Sequence, residues 1–226
     1  MTARQLPYTV FVCTEVLTGG PVPWFLRVAH LTRRVGLDPV RERRKPVGHR
    51  VRTTGQLIIA LKQIRLDVIL EGLGELEDRH SVSPPDPRFL FLSAAEVKAP
   101  SATGGTIGSH THRHPVLGVL HEHQQAFEVE ESVKLIQSIT GNRPTEFAYP
   151  NGTPLDFEAT TIAVLRRFGI RFAVTTIPRH LGHGDDSLAL PRIGLDQHDS
   201  SVRRVLKNVA PSLSMSALRE RRRVSR

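Results

Sequence analysis

Gly104-Gly105-Thr106-Ile107-Gly108-Ser109-His110-Thr111-His112-Arg113-His114-Pro115 is the stretch on which the reading of the fold turns. Three histidines stand at alternate positions, and imidazole is the commonest side-chain ligand for a transition metal. Pro115 disfavours an α conformation at His114, and the glycines before Ile107 argue against a helix already running. The stretch therefore reads as a strand end opening into a loop, not as two histidines one turn apart on a helix. In such a loop His110 and His114 can converge. Thr111 is placed to hydrogen-bond a ligand ring and hold its orientation. His112 reads as a loop residue.

Outward from this stretch, strands and helices alternate. Residues 8–12 form a run rich in β-branched and aromatic side chains, as in a buried strand. Pro23 to Val35 predicts a helix with Trp24, Val28 and Leu31 on one side. Residues 36–54 are basic and rich in breakers, and read as an exposed loop. Leu57, Leu61, Ile64 and Val68 recur at three- and four-residue steps, which predicts one amphipathic helix over 56–73. A proline-rich linker follows over 81–87. Ser93 and Glu96 form a capping box for a short helix.

Beyond Pro115, Phe127, Val129, Val133, Ile136 and Ile139 supply the apolar side of a helix over 124–140, with Gly141 placed to end it. Strands are expected at 146–149, 171–175 and 188–193. Asp156 reads as the cap of a helix carrying Ile162, Leu165 and Phe168, and Asp199 as the cap of a last one. Strands alternating with helices imply an α/β fold with a parallel sheet. In such sheets functional groups collect at the carboxyl ends of strands. The histidines, and the turn Tyr149-Pro150-Asn151-Gly152, both fall there.

The 226 residues suit one α/β domain, and 39% hydrophobic residues are enough for a core. The expected layout is one domain over 1–210 and a basic tail over 211–226. No apolar run of about 18 residues or more marks a transmembrane helix, and no secretory signal is evident at Met1. The compartment is left open, cytoplasmic by default. Cys13 is the only cysteine, which excludes an intrachain disulfide; it reads as a buried packing residue. The net charge of +9 gathers in two clusters, one over Arg33–Arg52 and the other over Arg219–Arg226. Few aromatics interleave with either, so both read as solvated segments, and nucleic acid ranks last among the partners considered. His183 with Asp185 and Asp186 reads as a turn, given the surrounding glycines.

Ile107-Gly108-Ser109-His110-Thr111-x-x-His114-Pro115 resembles the metal-binding motif of the polysaccharide deacetylases, the NodB-homology family of carbohydrate esterases. Phe147-Ala148-Tyr149-Pro150-Asn151-Gly152 resembles that family's next motif. The resemblance runs from Arg88 to about Leu206. It implies a distorted (β/α) barrel of seven strands, here incomplete, with the first strand and helix missing. It further implies a divalent metal, usually zinc, on His110 and His114, and an acetylated amino-sugar polysaccharide as substrate. In this reading the Asn151 N–H helps to stabilise an oxyanion, Tyr149 and Pro150 line the substrate, and Arg192 supports the site or pairs with a carboxylate near it.

The chain departs from the family at its beginning. No Asp-Asp-Gly motif, the source of one metal ligand and the general base, occurs in the sequence. Two imidazoles leave a catalytic zinc one protein ligand short of three, and a positioned base is worth about a hundredfold to ten-thousandfold. The expectation is a deacetylase of low activity as written. The alternatives are a non-catalytic relative that binds glycan or protein and, last, a basic nucleic-acid-binding protein.

Overall fold

The computed structural model describes residues 7–42, 51–102 and 104–194. The expected last helix, His198 and the basic tail lie outside these residues, as do Arg43, Arg44, Lys45 and Arg50 of the first basic cluster. Four strands, β1 (Tyr8–Val12), β2 (Gly105–Ser109), β3 (Glu146–Ala148) and β4 (Phe172–Val174), form one sheet. They are all parallel and stand in chain order. An arc of parallel strands joined through helices is the wall of a partial (β/α) barrel.

β1 and β2 are in register from Tyr8 against Gly105 to Val12 against Ser109. Aromatic rings of β1 lie over glycines of β2, Tyr8 over Gly105 and Phe11 over Gly108. A Cβ on Gly108 would stand 2.5 Å from the Phe11 ring and 3.1 Å from the Glu146 carbonyl oxygen. Pairing runs past the strand ends, with the His110 N–H donating to the Val12 carbonyl at 3.0 Å.

Between β1 and β2 the described residues make five α-helices: α1 (Trp24–Val35), α2 (Asp38–Glu42), α3 (Thr54–Leu61), α4 (Leu66–His80) and α5 (Ala94–Ala102). Trp24, Val28 and Leu31 of α1 are buried against Leu57, Leu61, Ile69 and Leu73. The helix expected over 56–73 is two helices. The chain turns at Lys62–Arg65, and Asp67 starts α4 by accepting from the Val68 N–H and the Arg65 guanidinium. The turn resets the apolar phase, so Leu66 and Ile69 are buried where Val68 was expected.

The basic segment is also not all loop. It contains α2, and Val40 and Val51 are buried in the same cluster. Burying two apolar side chains is favourable, and Arg52 beside Val51 stays exposed. The Ser93–Glu96 box is present at the start of α5, with the Glu96 carboxylate accepting from the Ser93 N–H at 2.8 Å.

After β2 come α6 (Glu122–Thr140), β3, α7 (Ala159–Arg167) and β4. Val129, Val133 and Ile136 of α6 are buried, and Gly141 ends the helix at φ 77°. Phe127 is 44% exposed instead of core, its ring under the Arg113 guanidinium at 5.1 Å. Asp156 does not cap α7. It accepts from the Thr153 N–H at 2.7 Å, and Glu158 with Thr161 makes the cap. The strand expected at 188–193 reduces to one bridge, Val174 to Leu190. Pro191 has no N–H with which to extend it.

Candidate metal centre

The carboxyl ends of β1, β2 and β3 bring three things to one place: Cys13 after Val12, the loop His110–His114 after Ser109, and the turn after Ala148. The His110 and His114 rings stand 4.8 Å apart, nearly perpendicular. Nδ1 of His110 lies 2.6 Å from the Ala148 carbonyl oxygen. A carbonyl only accepts, so Nδ1 carries the hydrogen and Nε2 presents a lone pair. Nδ1 of His114 is buried with no hydrogen-bond partner, although buried polar atoms are normally satisfied. Phe25 packs against the His114 ring at 4.8 Å, and the site opens on an apolar cleft of about 350 Å³ lined by Phe11, Val16, Phe25 and Leu92.

The loop holding these rings is strained and heavily tied down. Among the described residues only four non-glycines have positive φ: two are in this loop, Thr111 at 67° and His114 at 62°, and a third, Asn151 at 63°, is in the neighbouring turn after β3. Such residues cost about 1–3 kcal/mol each and persist only where their surroundings impose them. Thr111 imposes part of this. Its hydroxyl donates to the His110 carbonyl and accepts from the His114 N–H at 3.0 Å. Thr111 thus grips the backbone of both histidines and not a ligand ring, as had been expected of it; the Ala148 carbonyl orients the His110 ring instead.

Glu128, fully buried on α6, imposes the rest. Its carboxylate accepts from the His112 N–H at 3.1 Å, the Arg113 N–H at 2.8 Å and the Arg113 Nε at 2.7 Å. Ser109 adds a buried hydroxyl contact to Ser132 of α6 at 2.8 Å. His112 belongs to the loop, as expected, with Nδ1 2.9 Å from the Thr14 hydroxyl.

The turn after β3 is a γ-turn at Asn151, with the Gly152 N–H donating to the Pro150 carbonyl at 2.8 Å. It is clamped to the end of β4. The Thr176 N–H donates to the Gly152 carbonyl at 2.9 Å, and the Thr176 hydroxyl donates to the Asn151 carbonyl at 2.6 Å. Among the described residues nothing accepts from the Asn151 N–H. Tyr149 and Pro150 are buried. The Tyr149 ring stacks on Phe157 at 4.1 Å, and its hydroxyl donates to the Leu188 carbonyl at 2.6 Å. Tyr149 therefore anchors the turn from beneath and has no surface left to line a substrate. Arg192 is exposed and pairs with no carboxylate among the described residues; its N–H donates to the Ile177 carbonyl at 3.2 Å. The cluster at His183 is a turn, with Asp185 held by Arg179 at 2.7 Å.

The electrostatics favour neutral rings. Burial holds His110 below its ordinary range, opposed by the Ala148 carbonyl and helped by the charge of Arg192. Burial first, and then the neighbouring His110, push His114 down to about 3. An unfolded histidine, at 6.5, takes up a proton that the folded site refuses. The unfolded state thus binds more protons below about pH 6.5, and stability falls as pH drops from there toward 3. Urea midpoints of the metal-free protein should fall over this window. His114→Gln should flatten that fall, and an unchanged slope would contradict the assignment.

Sequence reasoning passed over Cys13 and Glu128. Cys13 is buried, and its Sγ and one ring nitrogen each of His110 and His114 all lie within 4.8 Å of one another. Burial, with Glu128 and then Glu15, raises its thiol to about 12. The available signal was its place directly after a strand that pairs with the histidine strand. For Glu128 the signal was polar spacing: Gln125, Glu128 and Ser132 repeat on the buried face of α6. Sulfur and two imidazole nitrogens are a fitting donor set for a divalent transition metal. From bond lengths of about 2.0–2.3 Å, neighbouring ligands on a tetrahedral ion stand roughly 3.5 Å apart; the spread here reaches 4.8 Å, so the three side chains draw together on binding.

The sequence model of the family described as polysaccharide deacetylase matches residues 53–173, over half of the chain. The chain belongs to that family. Solved structures similar to it include a polysaccharide deacetylase from Bacillus cereus, at 24% identity over 52% of this chain and 36% of that one, TM-score 0.45. A de-N-acetylase from Aggregatibacter actinomycetemcomitans is 17% identical over 54% and 55%, TM-score 0.46. A Streptococcus pyogenes deacetylase in complex with acetate is 18% identical over 91% and 97%, TM-score 0.49. The chain spans 36% and 55% of the length of the first two. No curated protein matches it. No helix of the described residues is long and apolar enough to cross a membrane.

Proposed function

We propose that this chain is a metal-dependent deacetylase that removes N-acetyl or O-acetyl groups from an amino-sugar polymer, with zinc held by His110 and His114. The observation that carries this reading is the convergence of two neutral imidazoles at the carboxyl edge of the sheet, one fixed through the Ala148 carbonyl at the foot of the Asn151 turn. A bound divalent ion polarises an acyl carbonyl and lowers the pKa of water. His110 and His114 bind as neutral ligands with their loop already strained into place, so little ordering accompanies binding. The Asn151 N–H, without an acceptor among the described residues, donates to the oxygen that gains charge as the acetyl carbon becomes tetrahedral. Such a donor is worth about 3–4 kcal/mol. Pro150 shapes the turn that presents it, and burial, helped by the charge of Arg192, keeps His110 unprotonated.

Acetate release from acetylated glucosamine oligomers, with zinc or cobalt supplied, tests the reading. Release should occur and fall at least a hundredfold in His110→Ala, about the effect of losing one main catalytic contact. Release equal in the two proteins would sink it.

One observation favours a second reading, a non-catalytic glycan binder. Among the described residues no carboxylate joins the two histidines to serve as base. That reading expects oligomer binding with no acetate release under any metal.

A further inference from the structure

The donor set at this centre is not the one that the family resemblance leads one to expect. The resemblance implies a carboxylate as third protein ligand, and none joins the histidines among the described residues. Their neighbour is a sulfur. Cys13 is brought there by strand pairing: Val12 faces Ser109, the His110 N–H donates to the Val12 carbonyl, and the next side chain along β1 reaches the next residue along β2. Cys13 Sγ–H donates to the His110 carbonyl at 3.4 Å, which keeps the sulfur beside the rings. His110 has Nε2 free because Nδ1 is committed to Ala148. His114 has a buried ring nitrogen with nothing to bond. The Cys13 sulfur and one ring nitrogen of each histidine lie within 4.8 Å of one another.

We propose that the Cys13 thiolate is the third protein ligand of the metal held by His110 and His114, so that the centre is a sulfur–nitrogen–nitrogen site. This rests on the metal-centre reading above and specifies its chemistry. On binding, one metal–sulfur bond forms, the S–H bond breaks, and the proton leaves to solvent. No electrons are exchanged. A thiolate with two imidazoles selects zinc and cobalt over magnesium, calcium and manganese, which prefer oxygen ligands. Cys13, His110 and His114 all border the apolar cleft beside Phe25, from which a substrate would approach the ion.

Cobalt and zinc report on this without relying on activity. Cobalt added to the metal-free full chain should produce a thiolate-to-cobalt charge-transfer band in the near ultraviolet, saturating at one equivalent. Zinc should abolish the band, and excess magnesium should leave it. X-ray absorption of the zinc-loaded wild-type chain should show one sulfur at about 2.3 Å; this needs no variant and so does not depend on a variant folding. Cys13→Ser should bind cobalt without the band and lose more than about tenfold in zinc affinity, at least the loss seen for outer-shell partners. If the wild-type chain binds cobalt or zinc with no band and no sulfur at that distance, Cys13 is not a ligand, while the metal-hydrolase reading survives. If the folded wild-type chain binds neither ion, both readings are overturned together.

Discussion

Replacing Glu128 with alanine should lower the unfolding free energy by about 3–5 kcal/mol, the usual cost of removing one partner from a buried ionic contact. The carboxylate is fully buried and accepts from two backbone N–H groups and one guanidinium. Alanine leaves the His112 and Arg113 N–H groups without this acceptor, at about 1–3 kcal/mol each where water cannot replace it. Arg113 moderates the loss, because its side chain is 35% exposed and can turn to water.

The same substitution should weaken metal binding, since Thr111 and His114 keep left-handed backbones only while the loop is pinned. Glu128→Gln should fall between wild type and alanine. It keeps one acceptor oxygen and aims an amide donor at another donor. Urea denaturation together with cobalt titration measures both effects. An alanine variant within about 0.5 kcal/mol of wild type, the range of ordinary surface changes, would show that the carboxylate does not hold the loop.

Gly152→Ala should cut turnover about a hundredfold with little change in KM, while cobalt binding stays intact. Gly152 has φ 73°, and an added Cβ would lie 2.9 Å from the Thr176 nitrogen. The left-handed conformation alone costs a non-glycine residue roughly 1–2 kcal/mol. The contact is with backbone, so relief requires the turn to move. Moving it breaks the clamp between Thr176 and the Asn151 and Gly152 carbonyls and turns the Asn151 N–H from its present direction. Loss of one oxyanion donor is worth roughly a hundredfold to a thousandfold in kcat. Wild-type turnover in the variant would remove the turn from the mechanism; lost cobalt binding would mean that the two halves of the site are not separable.

Much of this architecture is legible in the sequence. The β-branched run at Tyr8–Val12, the apolar steps through Val129, Val133 and Ile136, and the stop at Gly141 each report a local preference, and each appears as expected. The two motifs placed the site at strand ends because a strand followed by a loop is a local pattern. The failures share a cause. The break at Lys62–Arg65, the burial of Val40 and Val51, and the exposure of Phe127 depend on which surface each helix meets, and neighbouring residues do not encode that choice.

By itself, then, the sequence determined the alternation of strands and helices, the family, and the two histidines that share a loop. Those are properties of neighbours along the chain. Only the tertiary structure decided that Cys13 stands beside His110, 97 residues away, that Glu128 pins the loop, and that Tyr149 lies beneath the turn instead of lining a substrate. Each depends on parallel pairing or helix-on-sheet packing between segments far apart in sequence. Backbone hydrogen bonds and shape set the register of such contacts, and the residue types along either segment alone do not.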